Sequence, residues 1–109
     1  MALKGGGDSW RQGIDLLAPW IALVAVKNFS LETAGRDAQG QQLWRTRTVP
    51  IADCLCPLPR FIAALKTAGY SGSYSPHSEY EGSHSFRELS TDECLQQTAV
   101  DLQYLRTLL

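Results

Sequence analysis

Ile21-Ala22-Leu23-Val24-Ala25-Val26 is an apolar run with no polar interruption, bounded by Pro19 on one side and by Lys27-Asn28 on the other. It is short and partly β-branched, with a helix stop ahead of it and polar residues behind, so it reads as a strand over 20–27. The run does not alternate. A strand apolar on both faces belongs in a sheet covered on both sides, which usually means a parallel α/β sheet.

Working outward, Ser9 and Gln12 have capping-box spacing, and Trp10, Ile14 and Leu17 share one face, which predicts a helix over 9–18 closed by Pro19. Beyond the apolar run, residues 28–56 are polar and irregular, with Gly35, Gly40 and a Thr-Arg-Thr stretch beside Trp44. They predict a long loop, which in a compact domain is functional or carries small elements of its own. Pro59 suits a first helical turn, Phe61, Ile62 and Leu65 make one face, and Gly69 suits the position just past the end, so a helix is predicted over 58–68. A Ser-rich segment containing Pro76 gives a poorly patterned strand over 72–79. Ser90-Thr91-Asp92-Glu93 is a capping box, and Leu95, Ala99, Leu102, Leu105 and Leu109 recur at helical spacing, which predicts a helix over 91–108. The order contains one strand-helix-strand unit. Two parallel strands leave two open edges and cannot cover their own faces, so a homo-oligomer or a missing portion of the domain is expected.

At 109 residues the chain is one domain at most. With 44% apolar and 19% charged residues it has enough to bury and too little charge for a disordered chain. Ten Lys+Arg balance eleven Asp+Glu without a basic run, which argues against nucleic acid as a partner. The apolar run from Trp20 to Val26 is far short of the ~20 residues that span a bilayer, which argues against a membrane partner. The first residues have no apolar segment of signal-peptide type, and the three cysteines are too few and odd in number for a disulfide framework, so a cytoplasmic location is expected.

The residues that can carry chemistry gather late in the chain. On a strand His77, Glu79 and Glu81 project together, with His84 able to return from the loop, and imidazole with carboxylate can hold a divalent cation. The same residues also read as a polar loop facing water. Lys27 either faces a ligand or marks where the strand reaches solvent. Cys54 and Cys56, with Cys94, have the look of a thiolate site but no histidine close in sequence. Lys4 with Gly5-Gly6-Gly7 is either an anion cradle or a simple leader.

Three stretches carry a resemblance. They are Leu16-Leu17-Ala18-Pro19-Trp20 through Lys27-Asn28-Phe29, then Val49-Pro50 with Pro59-Arg60-Phe61 to Gly69-Tyr70-Ser71-Gly72, and Ser75-Pro76-His77-Ser78-Glu79-Tyr80. In this order they resemble the C-terminal part of the sugar phosphate isomerase/epimerase family, the xylose isomerase-like TIM barrels. A barrel of ~250 residues spends about 31 on each strand-helix unit. The resemblance therefore implies an α/β chain holding about three units of a (β/α)8 barrel, incomplete as a stand-alone barrel.

For function, the resemblance implies an isomerase or epimerase that transfers a proton on a carbohydrate, with a divalent metal ion (Mn, Mg, Co or Zn) at the barrel mouth. Glu79 falls on a metal ligand that is also a catalytic carboxylate, and Lys27 and His77 fall near the substrate. Other ligands would lie on earlier strands, so the chain alone would not complete the site. Two departures stand against this: Ala25 where many members carry a histidine ligand, and Ala52-Asp53-Cys54 where members have Gly-Glu-Gly. They motivate an alternative, a non-catalytic barrel piece acting as an oligomeric or partner-dependent module.

Overall fold

The computed structural model describes residues 9–27 and 29–109; Lys4, the glycines at 5–7 and Asn28 lie outside the described residues. The elements run α1 (Ser9–Leu17), β1 (Leu23–Val26), β2 (Phe29–Arg36), β3 (Gln42–Thr48), α2 (Leu58–Thr67), β4 (Ser73–Pro76) and α3 (Thr91–Leu108), with short 3-10 turns at Ala18–Trp20 and Ile51–Asp53. Among the described residues they form a small mixed α/β fold of two two-stranded sheets, without a closed barrel.

The first sheet is the parallel pair β1 and β4, in register from Leu23↔Ser73 to Val26↔Pro76, with α2 between the two strands in sequence. Val24 and Val26 point into the core with Ile14 of α1, Leu58, Ile62 and Leu65 of α2, and Leu105 of α3. All three helices thus contribute to one apolar layer on one face of the pair. Leu23, on the opposite face, is 58% exposed, and Ala25 is exposed beside it. Within this chain the strand is covered on one side only. Its two faces are alike in composition, but this chain packs only one of them. Strand 20–27 also shortens to 23–26 because the Pro19 segment continues as a 3-10 turn, and strand 72–79 shortens to 73–76.

Pro76 fits this sheet for a local reason. The His77 N–H donates to Val26 O at 3.0 Å. Alternation along a strand then places the position of the missing Pro76 N–H on the side away from β1, at the open edge of β4.

The segment 28–56, expected as a long loop that is functional or carries small elements of its own, holds a β-hairpin. β2 and β3 pair antiparallel from Phe29↔Thr48 to Thr33↔Trp44, with an irregularity before Arg36↔Gln42. Asp37 builds the turn: its Oδ1 accepts from Gln39 N at 2.9 Å and Gln41 N at 2.8 Å, and Gly40 supplies a φ of +79°. The hairpin base is braced on both edges. Leu55 N donates to Phe29 O at 2.8 Å, while Thr48 N donates to His84 O at 2.9 Å and Phe86 N to Thr48 O at 2.7 Å.

The helices end much as their sequences ask. Gly69 follows α2 at φ +91°, and Tyr70 N donates to Leu65 O while Gly69 N donates to Lys66 O, both at 3.0 Å, which is a Schellman closure. Ser90 and Glu93 exchange the two capping-box hydrogen bonds at the start of α3. Lys66 Nζ reaches the last carbonyls of that helix, at 2.9 Å from Leu108 O and 2.6 Å from Leu109 O, where a cation meets the negative end of the helix dipole. Ser9 lies within α1 as described, and its hydroxyl makes no hydrogen bond among the described residues.

The expected apolar stripe of α3 is corrected as well. Leu95 is 65% exposed, and Ala99, Leu102 and Leu109 also face outward. The packed face is Gln97, Asp101, Tyr104, Leu105 and Leu108, centred on a buried carboxylate. Asp101 Oδ1 accepts from Ile51 N at 3.3 Å and from Gln97 Nε2 at 3.0 Å, and its Oδ2 accepts from the fully buried Tyr80 hydroxyl. A buried carboxylate needs such donors, and these were not visible in the helical spacing.

On this assignment Leu105→Ala lowers unfolding stability by about 2–5 kcal/mol. Leu95→Ala, on the same helix, changes it by no more than about 0.5 kcal/mol. Urea unfolding followed by far-UV circular dichroism reads both, and equal losses would contradict the packed face described here.

Candidate functional site

The carboxyl ends of β1 and β4 lie side by side, and the residues just beyond them converge. Lys27 follows β1 directly, and Glu79 lies three residues past the end of β4. Lys27 Nζ stands 3.0 Å from Glu79 Oε1, with both side chains about half exposed. The two elements are brought together by the parallel register, since His77 N–H pairs with Val26 O one step before the ion pair forms. Tyr80 anchors the next position: its ring is fully buried and its hydroxyl is bound to Asp101.

Lys27 and Glu79 line an open cleft of ≈ 420 Å³ with Phe29 of β2, Thr46 and Thr48 of β3, and His84. His84 Nε2 lies 3.0 Å from Glu79 O, which ties the returning loop to the strand end. A shallower hollow of ≈ 340 Å³ adjoins it, lined by Ser78, Glu79, Glu81, His84 and Cys94. The wall of the cleft is therefore partly built by the hairpin that the sequence pattern did not disclose. Phe29, Thr46 and Thr48 are the site residues missed, and the signals that mark them are the run of β-forming residues on each side of Asp37 and Gly40.

The three expected site residues are not equally placed. Lys27 and Glu79 meet. His77 is exposed and does not line the cleft, although its charge acts on Glu79. The histidine that lines the cleft is His84.

Electrostatics sharpen the roles. The Lys27 ammonium, donating a hydrogen bond to Glu79, holds that carboxyl below the usual carboxylate range against the opposing effect of desolvation; the charges of His77 and His84 add smaller lowering effects. Glu79 is thus an ionised acceptor at neutral pH. On the hairpin, Glu32 is held low by hydrogen bonds from Arg47, at 2.8 Å and 3.0 Å, and from Arg45. The cysteines go the other way. Burial pushes the Cys54 and Cys56 thiols up, and desolvation followed by the nearby Glu81 and Glu93 raises Cys94. Raised thiol pKa values disfavour the thiolate that nucleophilic or zinc chemistry needs.

A divalent cation takes several oxygen or nitrogen ligands. This cleft offers the Glu79 carboxylate, already engaged by Lys27, and His84; among the described residues no three His, Cys, Asp or Glu side chains are grouped to hold a metal ion. The described residues of the cleft do not by themselves complete a metal site. Comparison of the chain with protein-family models, with curated proteins and with solved structures finds no match.

The ion pair sets a pH dependence. The folded-state pKa of Glu79 is depressed, so the stabilisation it brings is present while the carboxyl is ionised and is lost as pH falls through that lowered value. For so exposed a pair the effect on stability is small, and the titration itself is the better readout. Carboxyl-resolved NMR should give Glu79 a lower midpoint in the native chain than in Lys27→Ala; identical midpoints would remove Lys27 as the cause.

Proposed function

We propose that this chain forms the carboxyl-terminal wall of a carbohydrate isomerase or epimerase barrel, with Glu79 and Lys27 binding sugar hydroxyls. The observation that carries the reading is the meeting of these two side chains just beyond the carboxyl ends of paired parallel strands, where α/β and barrel enzymes build their sites. The packing is compatible with a barrel segment: helices cover one face of the pair, and Leu23 and Ala25 on the other face await the layer that a barrel interior would supply.

The chemistry of the cleft suits a polyhydroxylated ligand. An ionised carboxylate accepts from hydroxyls, an ammonium donates to their oxygens, and Thr46 and Thr48 do both. Glu79, held ionised beside Lys27, accepts from such hydroxyls and orients them.

The test is an amide-resolved NMR titration of the chain with xylose. Lys27, Phe29, Thr48, Glu79 and His84 should shift together in the millimolar range, and Glu79→Gln should weaken the response. Shifts scattered over the surface, or none, would dismiss the reading.

The uncovered apolar residues favour a second reading, a non-catalytic module that works only in an oligomer or with a partner. Trp20 is 77% exposed, and Leu16, Leu17 and Leu23 are exposed with it. Size-exclusion chromatography with light scattering should then give a mass above that of the single chain which rises with concentration. A folded monomer at all concentrations would count against it.

A further inference from the structure

We infer that Cys54 and Cys56 form a redox-active dithiol, a modification site that closes to a disulfide by exchange with a small-molecule disulfide and, in closing, moves the base of the β2–β3 hairpin. The inference does not depend on the carbohydrate reading above.

Local geometry carries the argument. In a fully extended chain, residues two apart stand about 7 Å from each other at Cα, just outside the span a disulfide bridges. Here the chain bends at Cys54-Leu55-Cys56, which draws the two cysteines closer than that. The Cys54 thiol is already turned toward its partner residue, since its Sγ donates to Cys56 O at 3.3 Å. With that sulfur against the Cys56 backbone, rotation about the Cα–Cβ bond of Cys56 brings the second sulfur to it. A charge on Cys54 is felt at Cys56, in keeping with this closeness. Both residues are partly exposed, so a small reagent reaches them.

Position makes the pair more than two neighbouring thiols. Leu55, between them, donates its backbone N–H to Phe29 O at 2.8 Å, and Phe29 lines the Lys27–Glu79 cleft. A bridge over a single residue constrains the torsions on both sides of that residue. Closing it breaks the Cys54 Sγ contact to Cys56 O and turns the Leu55 peptide on which Phe29 rests.

The exchange balances without any group from the chain beyond the two thiols. One thiolate attacks a sulfur of glutathione disulfide and expels a glutathione thiolate, leaving a mixed disulfide; the other attacks the protein-side sulfur and expels the second glutathione. The chain loses two electrons and two protons, and the reagent gains them as two thiols. Burial holds both cysteine thiols above their usual range, so the rate rises about tenfold per pH unit through neutrality as the thiolate fraction grows. So short a loop removes little chain entropy, and excess thiol reopens it.

The test treats the Cys94→Ser chain, which keeps only Cys54 and Cys56, with glutathione disulfide at mildly alkaline pH, read by intact mass and amide-resolved NMR. The product should be two hydrogens lighter, carry no glutathione, show displaced Leu55 and Phe29 amides, and revert in excess reduced glutathione. Adding Cys54→Ser or Cys56→Ser should stop the reaction at one glutathione adduct. A lasting adduct on the Cys94→Ser chain, a bridge between two chains, or no reaction overturns the dithiol. A bridge that leaves Leu55 and Phe29 unmoved overturns its hold on the hairpin base. None of these outcomes alters the xylose titration, so the two readings stand or fall separately.

Discussion

The Asp101 carboxylate, buried inside α3, is the constraint from which the site's geometry follows. Its oxygens hold the Ile51 amide, the Gln97 side chain and the Tyr80 hydroxyl. Tyr80 immediately follows Glu79, and Ile51 lies three residues past Thr48, so one carboxylate fixes both the strand-end side of the cleft and the hairpin side. Removing any one of these donors leaves a buried acceptor with fewer hydrogen bonds, which is costly. The price of this arrangement is a helix whose packed face is polar at its centre, and that polarity hides the face from any reading based on apolar spacing.

Above this anchor, the parallel pairing of β1 with β4 does the positioning. One register brings Lys27 and Glu79 within ion-pair distance, and the hydrogen bond from His77 to Val26 continues the ladder up to the point where the two side chains meet. The hairpin then rises from the same end and lends Phe29, Thr46 and Thr48 to the cleft. The site is thus assembled from two regions far apart in sequence: the exit of β1 with the hairpin that follows it, and the exit of β4.

How much of this was legible depends on which forces leave a mark on local sequence. Helix ends do, because capping is a contest among near neighbours; Ser90 with Glu93 and Gly69 were readable for that reason. Lys27 was readable as a candidate because a charged residue at the end of an apolar strand must reach water or a ligand, and Glu79 because it shares a strand face with His77 and falls on a metal ligand in the resemblance. The hairpin was not, since most of its length is exposed on both faces and so lacks the alternation that burial imposes. The apolar run 21–26 was readable as a strand, but composition alone does not say which face a given chain will cover. For α3, leucines at helical spacing suggested one face while hydrogen bonding to Asp101, a long-range matter, selected another.

Pro76 gives the small sheet a direction. With no amide hydrogen at that point on the outer side of β4, a neighbouring backbone would find a gap in the ladder there, whereas β1 offers its outer side without a proline. A strand that joins β4 on that flank, as closure of a barrel requires, therefore finds one donor fewer, at Pro76, than a strand that joins beside β1.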